Sequence, residues 1–364
     1  MSKEIYKFQP DWLHLVPPGL SIKEDMVYIG LSQVDFAERM GYTQKHIHKL
    51  IKGEASITAD TALKLEKVLS YPSSFWMNAE SNYREALAKE EEKNELKKEG
   101  DWLKKIPLKN MIDFRWVGKF SNKSEQLIEC LKFYGVASIK AFESQELDYK
   151  VAFKASDTLD KDNIAIKTWL RKGEVEAIKI TCKPFSKVKL KATLDELRNL
   201  IILEKPDDFL PKLINLCAEC GVAVVFAPTP KKCPMSGATQ WISPDKALLL
   251  LSLRYKTNDA LWFAFFHEIA HILKHKKQLF LEGRGGFVKD KQLESEADKF
   301  ATELLIPVNF SAELSTLKTK ASIKEFAKRI NIAPGIVVGR MHHQSIIGWS
   351  RFNDLKVKYE WLND

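Results

Sequence analysis

Residues 261–275, LWFAFFHEIAHILKH, are apolar almost throughout and yet carry His267, Glu268 and His271. Burying two imidazoles and a carboxylate without partners is costly, so the three groups need a common reason to be there. On a helix, His267 and His271 stand one turn apart on one face, and both rings can hold a single zinc ion with Glu268 beside it. A carboxylate so placed can act as a general base, taking a proton from water as it attacks a peptide carbonyl polarised by the metal. The expected chemistry is zinc-assisted peptide hydrolysis.

A catalytic zinc ion takes three protein ligands and keeps one position open. The third ligand is expected in QLESEADKFATELLIP, where Ala297, Phe300, Ala301, Leu304 and Leu305 form the apolar face of one helix. By this winding Glu294 lies at the edge of that face and is expected to be the ligand, whereas Glu296 falls toward the polar side with Lys299 and Glu303. Asp298, one turn after Glu294, is expected to accept a hydrogen bond from the second nitrogen of a ligand histidine. Further on, IKEFAKRINIAPGIVVGRMHHQS reads as a helix, a turn at Pro334 and Gly335, and a helix carrying Arg340, His342 and His343. One of these three can stabilise an oxyanion, with His343 the candidate.

The elements that must position these groups begin near residue 206. FLPKLINLCAECG reads as a helix, then VAVVFAP, GATQWIS and KALLLLSLR as three short strands, then the metal-bearing helix over 257–275, with Thr257 or Asn258 as its cap. A sheet edge just before that helix is a place where an extended peptide can pair with the backbone. Cys217 and Cys220 form a lone CxxC with no second pair at ligand spacing, which favours ordinary packing.

The 364 residues carry 57 Lys and Arg against 48 Asp and Glu, a formal charge of +9, and 45% hydrophobic residues. This describes a globular chain of more than one domain and excludes disordered or fibrous classes. No apolar run reaches 18 residues, and MSKEIYKFQPDW has no apolar segment of the kind a leader needs. Five scattered cysteines suit a reducing compartment. The expected location is the cytoplasm, without membrane contact.

The positive excess does not lie in the N-terminal part, since residues 1–90 hold 11 Lys and Arg against 12 Asp and Glu. Local arrangement there is more informative. Ser32 can cap a helix whose Val34, Phe36, Ala37 and Met40 point inward, Gly41 supplies a turn, and Thr43 can cap a second helix with Ile47, Leu50 and Ile51 buried. This is a helix-turn-helix pattern. Its second helix shows Gln44, Lys45, His46, His48 and Lys49 to solvent, with no acid from Gln44 to Lys52, and Gln33 opens the first helix. Such a face suits the major groove of double-stranded DNA. The Glu/Lys-rich stretch after Tyr83 reads as a solvated linker helix. Residues 101–205 show helical periodicity and no chemical motif, and their basic stretch KPFSKVKLKAT reads as a solvated face.

The expected fold class is therefore multidomain, mainly α with an α+β part. An all-α helix-turn-helix domain occupies 1–99, a helical connector 100–205 and an α+β metal-binding domain 206–364.

On LSQVDFAERMGYTQKHIHKLIKGEASITADTALKLEKVL and SYPSSFWMNAESNYREAL, the N-terminal part resembles XRE-type helix-turn-helix domains and is similar to HigA-type antitoxins. On HEIAH followed by ExEADxFAxxLLIP, with flanks from GATQWIS to PGIVVGRMHH, the C-terminal part resembles the ImmA/IrrE metallopeptidases, zincin-like enzymes with a glutamate ligand. Relatives carry Gln where this chain has His342. The resemblance implies operator binding as a homodimer and site-specific cleavage of a repressor or antitoxin in stress response, toxin–antitoxin or mobile-element control, with a cognate toxin as a further partner. Two other readings stand beside it. One is a HigA-like antitoxin whose peptidase-like domain is a non-catalytic protein-binding module. The other is a structural zinc protein, which would more often have four protein ligands. Intact HEIAH with Glu294 favours the enzyme.

If the basic helix contacts DNA, replacing Gln44, Lys45 and Lys49 together with alanine abolishes specific operator binding. Removing a lysine alone weakens binding to all sequences and flattens its salt dependence. Electrophoretic or anisotropy titrations at several salt concentrations measure both effects, and unchanged operator affinity in the triple variant contradicts the assignment.

Overall fold

The computed structural model describes residues 16–144, 163–283 and 291–362. The N-terminal dodecapeptide read as lacking a leader lies outside them. The chain forms two compact units, residues 1–100 with 122–125, and residues 101–121 with 126–364. Among the described residues no helix is long and apolar enough to cross a membrane.

The first unit is helical: α1 (Pro18–Tyr28), α2 (Gln33–Met40), α3 (Gln44–Ile51), α4 (Ala59–Leu69) and α5 (Ser73–Leu96). The helix starts follow the side chains. Ser32 and Asp35 make a reciprocal capping box at α2, Thr43 accepts from the His46 amide at α3, and Thr58 accepts from Thr61 at α4. Gly41 ends α2 at φ 65°, a left-handed conformation that glycine adopts without penalty. Phe36, Ala37, Met40, Ile47, Leu50, Leu65 and Trp76 form the core. Two expected core positions differ. Val34 is 45% exposed and Ile51 only half-buried, because each lies at an end of an eight-residue helix, where the turn that would cover it is missing.

The second unit is built on a four-stranded sheet, β1 (Val222–Phe226), β2 (Met235–Ser243), β3 (Lys246–Leu251) and β4 (Phe280–Gly283), in the order β1-β3-β2-β4. β1 and β3 run parallel, and the other pairs are antiparallel. Alternate side chains leave opposite faces. Val222, Val224, Leu249 and Leu251 pack into one core with α8 (Asn258–Lys274), while Ala223, Val225, Leu248 and Leu250 pack into another with Trp169 of α6 (Asn163–Lys179). Burial on both faces is why KALLLL lacks a polar alternation. The strand that leads into α8, β3, lies inside the sheet, so it offers no free edge for peptide pairing; β4, unforeseen in the sequence, pairs with β2 and is an outer strand among the described residues.

Helix α8 is buried along nearly its whole length, from Asn258 to Leu273. This accounts for its apolar character all round. Its N-cap is Thr257, whose side chain makes no capping bond; Asn258 Oδ1 instead accepts from the amides of Asp259 and Val357. It packs against α9 (Lys291–Leu305) and α11 (Pro334–His343), with α10 (Lys320–Arg329) behind α11. α7 (Pro206–Glu219) covers β1. Cys217 and Cys220 are both buried there, and burial raises the Cys217 thiol pKa, which suits packing.

Arg198 ties the end of α9 to the end of α10. Its guanidinium donates to the carbonyls of Leu304 at 2.8 Å, Leu305 at 3.1 Å and Ile330 at 2.9 Å, all at helix C-termini whose carbonyls have no helical partner. Removing a charged donor from such a cluster costs about 1.5–3 kcal/mol. Thermal unfolding of Arg198→Ala is therefore expected to show a clearly lowered Tm, and a Tm equal to that of the parent chain contradicts this role.

Candidate functional site

Helix α8 presents His267 and His271 from successive turns toward α9. Their Nε2 atoms face each other at 2.9 Å. Glu294, in the first turn of α9, brings its two carboxylate oxygens to 3.1 Å from His267 Nε2 and 3.4 Å from His271 Nε2. The ligand-capable atoms of His267, His271 and Glu294 all lie within 4.8 Å of one another. Both histidines are almost completely buried. Burial, with the neighbouring His267 and His275, lowers the His271 pKa to about 2, so its ring is held neutral with a lone pair to offer.

The set fits a metal ion. Two ring nitrogens and a carboxylate facing one another in a buried space repel unless a cation joins them, and two His with one Glu is a donor set of catalytic zinc. Glu296 is placed away from this point, 3.5 Å from His275 Nε2.

Three groups orient the ligand rings. Nδ1 of His267 donates to Asp298 Oδ1 at 2.9 Å. Nδ1 of His271 lies 2.8 Å from His275 Nδ1. When His271 offers Nε2 to a metal its proton sits on Nδ1, so His275 Nδ1 accepts it and the His275 proton points from Nε2 toward Glu296. Phe280 of β4 stacks on His271 with centroids 4.0 Å apart and fixes the plane of the ring. Sequence reasoning missed His275, although the four-residue spacing His267, His271, His275 was a visible signal.

Glu268 does not join the ligand cluster. Thr239 Oγ1 of β2 donates to its Oε2 at 2.6 Å. Gly237, two residues earlier on the same strand face, makes room for it: a Cβ there would fall 2.6 Å from Glu268 Oε1. The hydroxyl thus holds one carboxylate oxygen while the glycine leaves room for the other. Neither Gly237 nor Thr239 carried a sequence signal, since both act through strand pairing.

The α11 residues diverge. His342 is buried, with Nε2 donating to the Arg351 carbonyl at 2.9 Å, so it turns from the cluster. His343 is exposed and its ring lies nearly parallel to that of Phe263, one turn before His267. Arg340 Nη1 donates to Thr302 Oγ1.

On the helix-turn-helix unit, Gln44, Lys45, His48 and Lys49 of α3 are exposed. His46 is half-buried and packs on Tyr42 at 4.5 Å, so it contributes less to the free face than expected from sequence. Gln33 Nε2 reaches the Gln44 carbonyl at 3.4 Å, which places it beside the start of α3.

Comparison with known proteins agrees with both halves. Residues 22–76 match the helix-turn-helix family model and residues 217–342 match the IrrE N-terminal-like domain. No curated protein matches the chain. Two solved structures are similar to part of it: an addiction module antidote protein of the HigA family from Coxiella burnetii, 26% identical, covering 24% of this chain and 95% of that one at a TM-score of 0.22, and a putative antidote protein of a plasmid maintenance system from Nostoc punctiforme, 28% identical, covering 23% and 91% at a TM-score of 0.22. The IrrE-like match contains the His267, His271 and Glu294 cluster with Glu268, and ends one residue before His343. The chain thus carries a region similar to helix-turn-helix domains over 22–76 and one similar to the IrrE N-terminal-like domain over 217–342.

Proposed function

We propose that this protein is a DNA-binding regulator whose C-terminal domain is a zinc peptidase that cleaves a repressor or antitoxin protein. The division is a DNA-binding domain over 1–99, a helical connector over 100–205 and the peptidase over 206–364. In this reading α3 enters the operator with Gln44, Lys45, His48 and Lys49, flanked by Gln33 and His46, and the protein acts in the cytoplasm as a homodimer.

The observation that carries the peptidase reading is the pairing of a three-donor cluster with an independently held carboxylate. His267, His271 and Glu294 converge, while Glu268 is clamped by Thr239 outside the cluster. Zinc held by those three residues would supply Lewis acidity toward the scissile carbonyl. Glu268 accepts the proton of the attacking water and returns it to the leaving nitrogen. Asp298 and His275 hold the ligand rings in the tautomer that offers Nε2 inward. His343, beside Phe263, donates to the developing oxyanion.

Two measurements test this. Metal analysis of purified variants is expected to find zinc lost in Glu294→Ala and retained in Glu296→Ala, with His275→Ala weakening zinc affinity roughly 10- to 100-fold in chelator competition. A zinc-free Glu296→Ala beside a zinc-replete Glu294→Ala reverses the ligand assignment. For catalysis, Glu268→Gln keeps size and hydrogen bonding but loses the basic oxygen. Zinc content and operator binding are expected to stay unchanged while cleavage falls roughly 10²- to 10⁴-fold. Mapping new protein N-termini in cells that express either form shows whether a DNA-binding protein is cut only by the parent chain. Identical N-terminal profiles refute the peptidase and leave the antitoxin with a binding module.

A further inference from the structure

A cavity of about 750 Å³ opens beside the ligand cluster. Asp298, which accepts from His267, and Phe263, one turn before His267, form part of its wall, so the cavity adjoins the proposed reaction centre. It is large enough for more than one side chain of a bound peptide. Trp349, 63% exposed, forms an apolar part of its lining together with Phe263 and Ile336.

Its charges are unequal in one respect. Asp259 and Lys356 form an ion pair at 2.6 Å and compensate each other, both nearly buried. Asp298 is engaged by His267. Arg340 alone has no carboxylate within 4 Å among the described residues. Its Nη1 donates to Thr302 Oγ1, another residue of the lining, and its Nε is buried without a hydrogen-bond partner among the described residues. Glu303 is the acid whose charge reaches it, but that carboxylate lies 42% exposed and pairs with Lys299 at 3.9 Å. A half-buried guanidinium with so few partners is poorly compensated by the protein itself. A planar donor fork of this kind matches a carboxylate or a phosphate, and of the two a carboxylate is what an unmodified peptide carries.

We propose that this cavity, which meets the site through Asp298 and Phe263, receives a segment of the bound substrate, and that Arg340 selects a carboxylate there. The carboxylate comes from an Asp or Glu side chain, or from the C-terminus of the bound chain. The aromatic and aliphatic wall accommodates the apolar part of the same segment. The inference rests on the peptidase reading for its word substrate, but peptide capture does not require hydrolysis.

The test therefore reads binding. Full-length, zinc-loaded protein carrying Glu268→Gln is immobilised and exposed to two random peptide libraries, one with free and one with amidated C-termini, and retained peptides are sequenced. Enrichment of Asp and Glu in both libraries assigns a side chain; enrichment only with free C-termini assigns the chain end. Adding Arg340→Met is expected to weaken retention of individual acidic peptides on the order of 10- to 100-fold, the range for one charge-assisted hydrogen bond. Arg340→Lys retains the preference in part, and Arg340→Glu turns it toward Lys and Arg. Thermal unfolding of each variant verifies that the fold persists, and Arg340→Lys covers the case in which the shorter change disturbs α11. Retained peptides without acid or free-carboxylate preference, or a preference indifferent to all three substitutions, overturn the proposal. Failure of cleavage by the parent chain, with acid-selective capture intact, overturns only the peptidase reading.

Discussion

The second unit depends on one constraint: two imidazoles and a carboxylate are brought together in a space from which water is largely excluded. His267 and His271 are almost fully buried, and their ring nitrogens face each other at 2.9 Å with Glu294 alongside. Such a cluster is unfavourable without a cation, and the chain spends a whole buried helix on making it. The layers follow from that need. The sheet supports one side of α8 with α6 on its far face, and α9 brings Glu294 and Asp298 to its polar edge.

What surrounds the cluster divides the labour. Asp298 and His275 address the far nitrogens of the two rings, Phe280 sets the plane of one ring, and Thr239 with Gly237 sets the carboxylate of Glu268. Strand register links these supports. Thr239 pairs with Phe280 across β2 and β4, so the residue that holds Glu268 and the residue that stacks on His271 are neighbours on one sheet face. Arg198 acts at longer range, fastening the end of the helix that carries Glu294 and Asp298.

Much of this site was legible because its parts are local. His267, Glu268 and His271 lie within five residues of one helix, and the apolar stripe Ala297, Phe300, Ala301 and Leu304 separates Glu294 from Glu296 by winding alone. The caps at Ser32 and Thr43 were legible for the same reason. What escaped is non-local. Gly237, Thr239 and Phe280 reach the site only after strands separated by many residues have paired, and β4, four residues long after a run of lysines, shows no alternation to read. Val34 was misjudged because a helix of eight residues has ends that periodicity ignores. The Arg340 cavity needs three helices and the C-terminal segment together, which no single stretch of sequence displays.

In the function proposed above, a metal ion held by two imidazoles and one carboxylate, with a position left open, organises this unit. X-ray absorption at the zinc edge of the purified full-length protein reads that coordination sphere directly. The account predicts one zinc ion per chain with a light-atom shell of nitrogen and oxygen at about 2.0–2.1 Å, the multiple-scattering signature of two imidazoles, and no sulfur near about 2.3 Å. A sulfur shell, four imidazoles, or zinc bound substoichiometrically without an imidazole signature contradicts it.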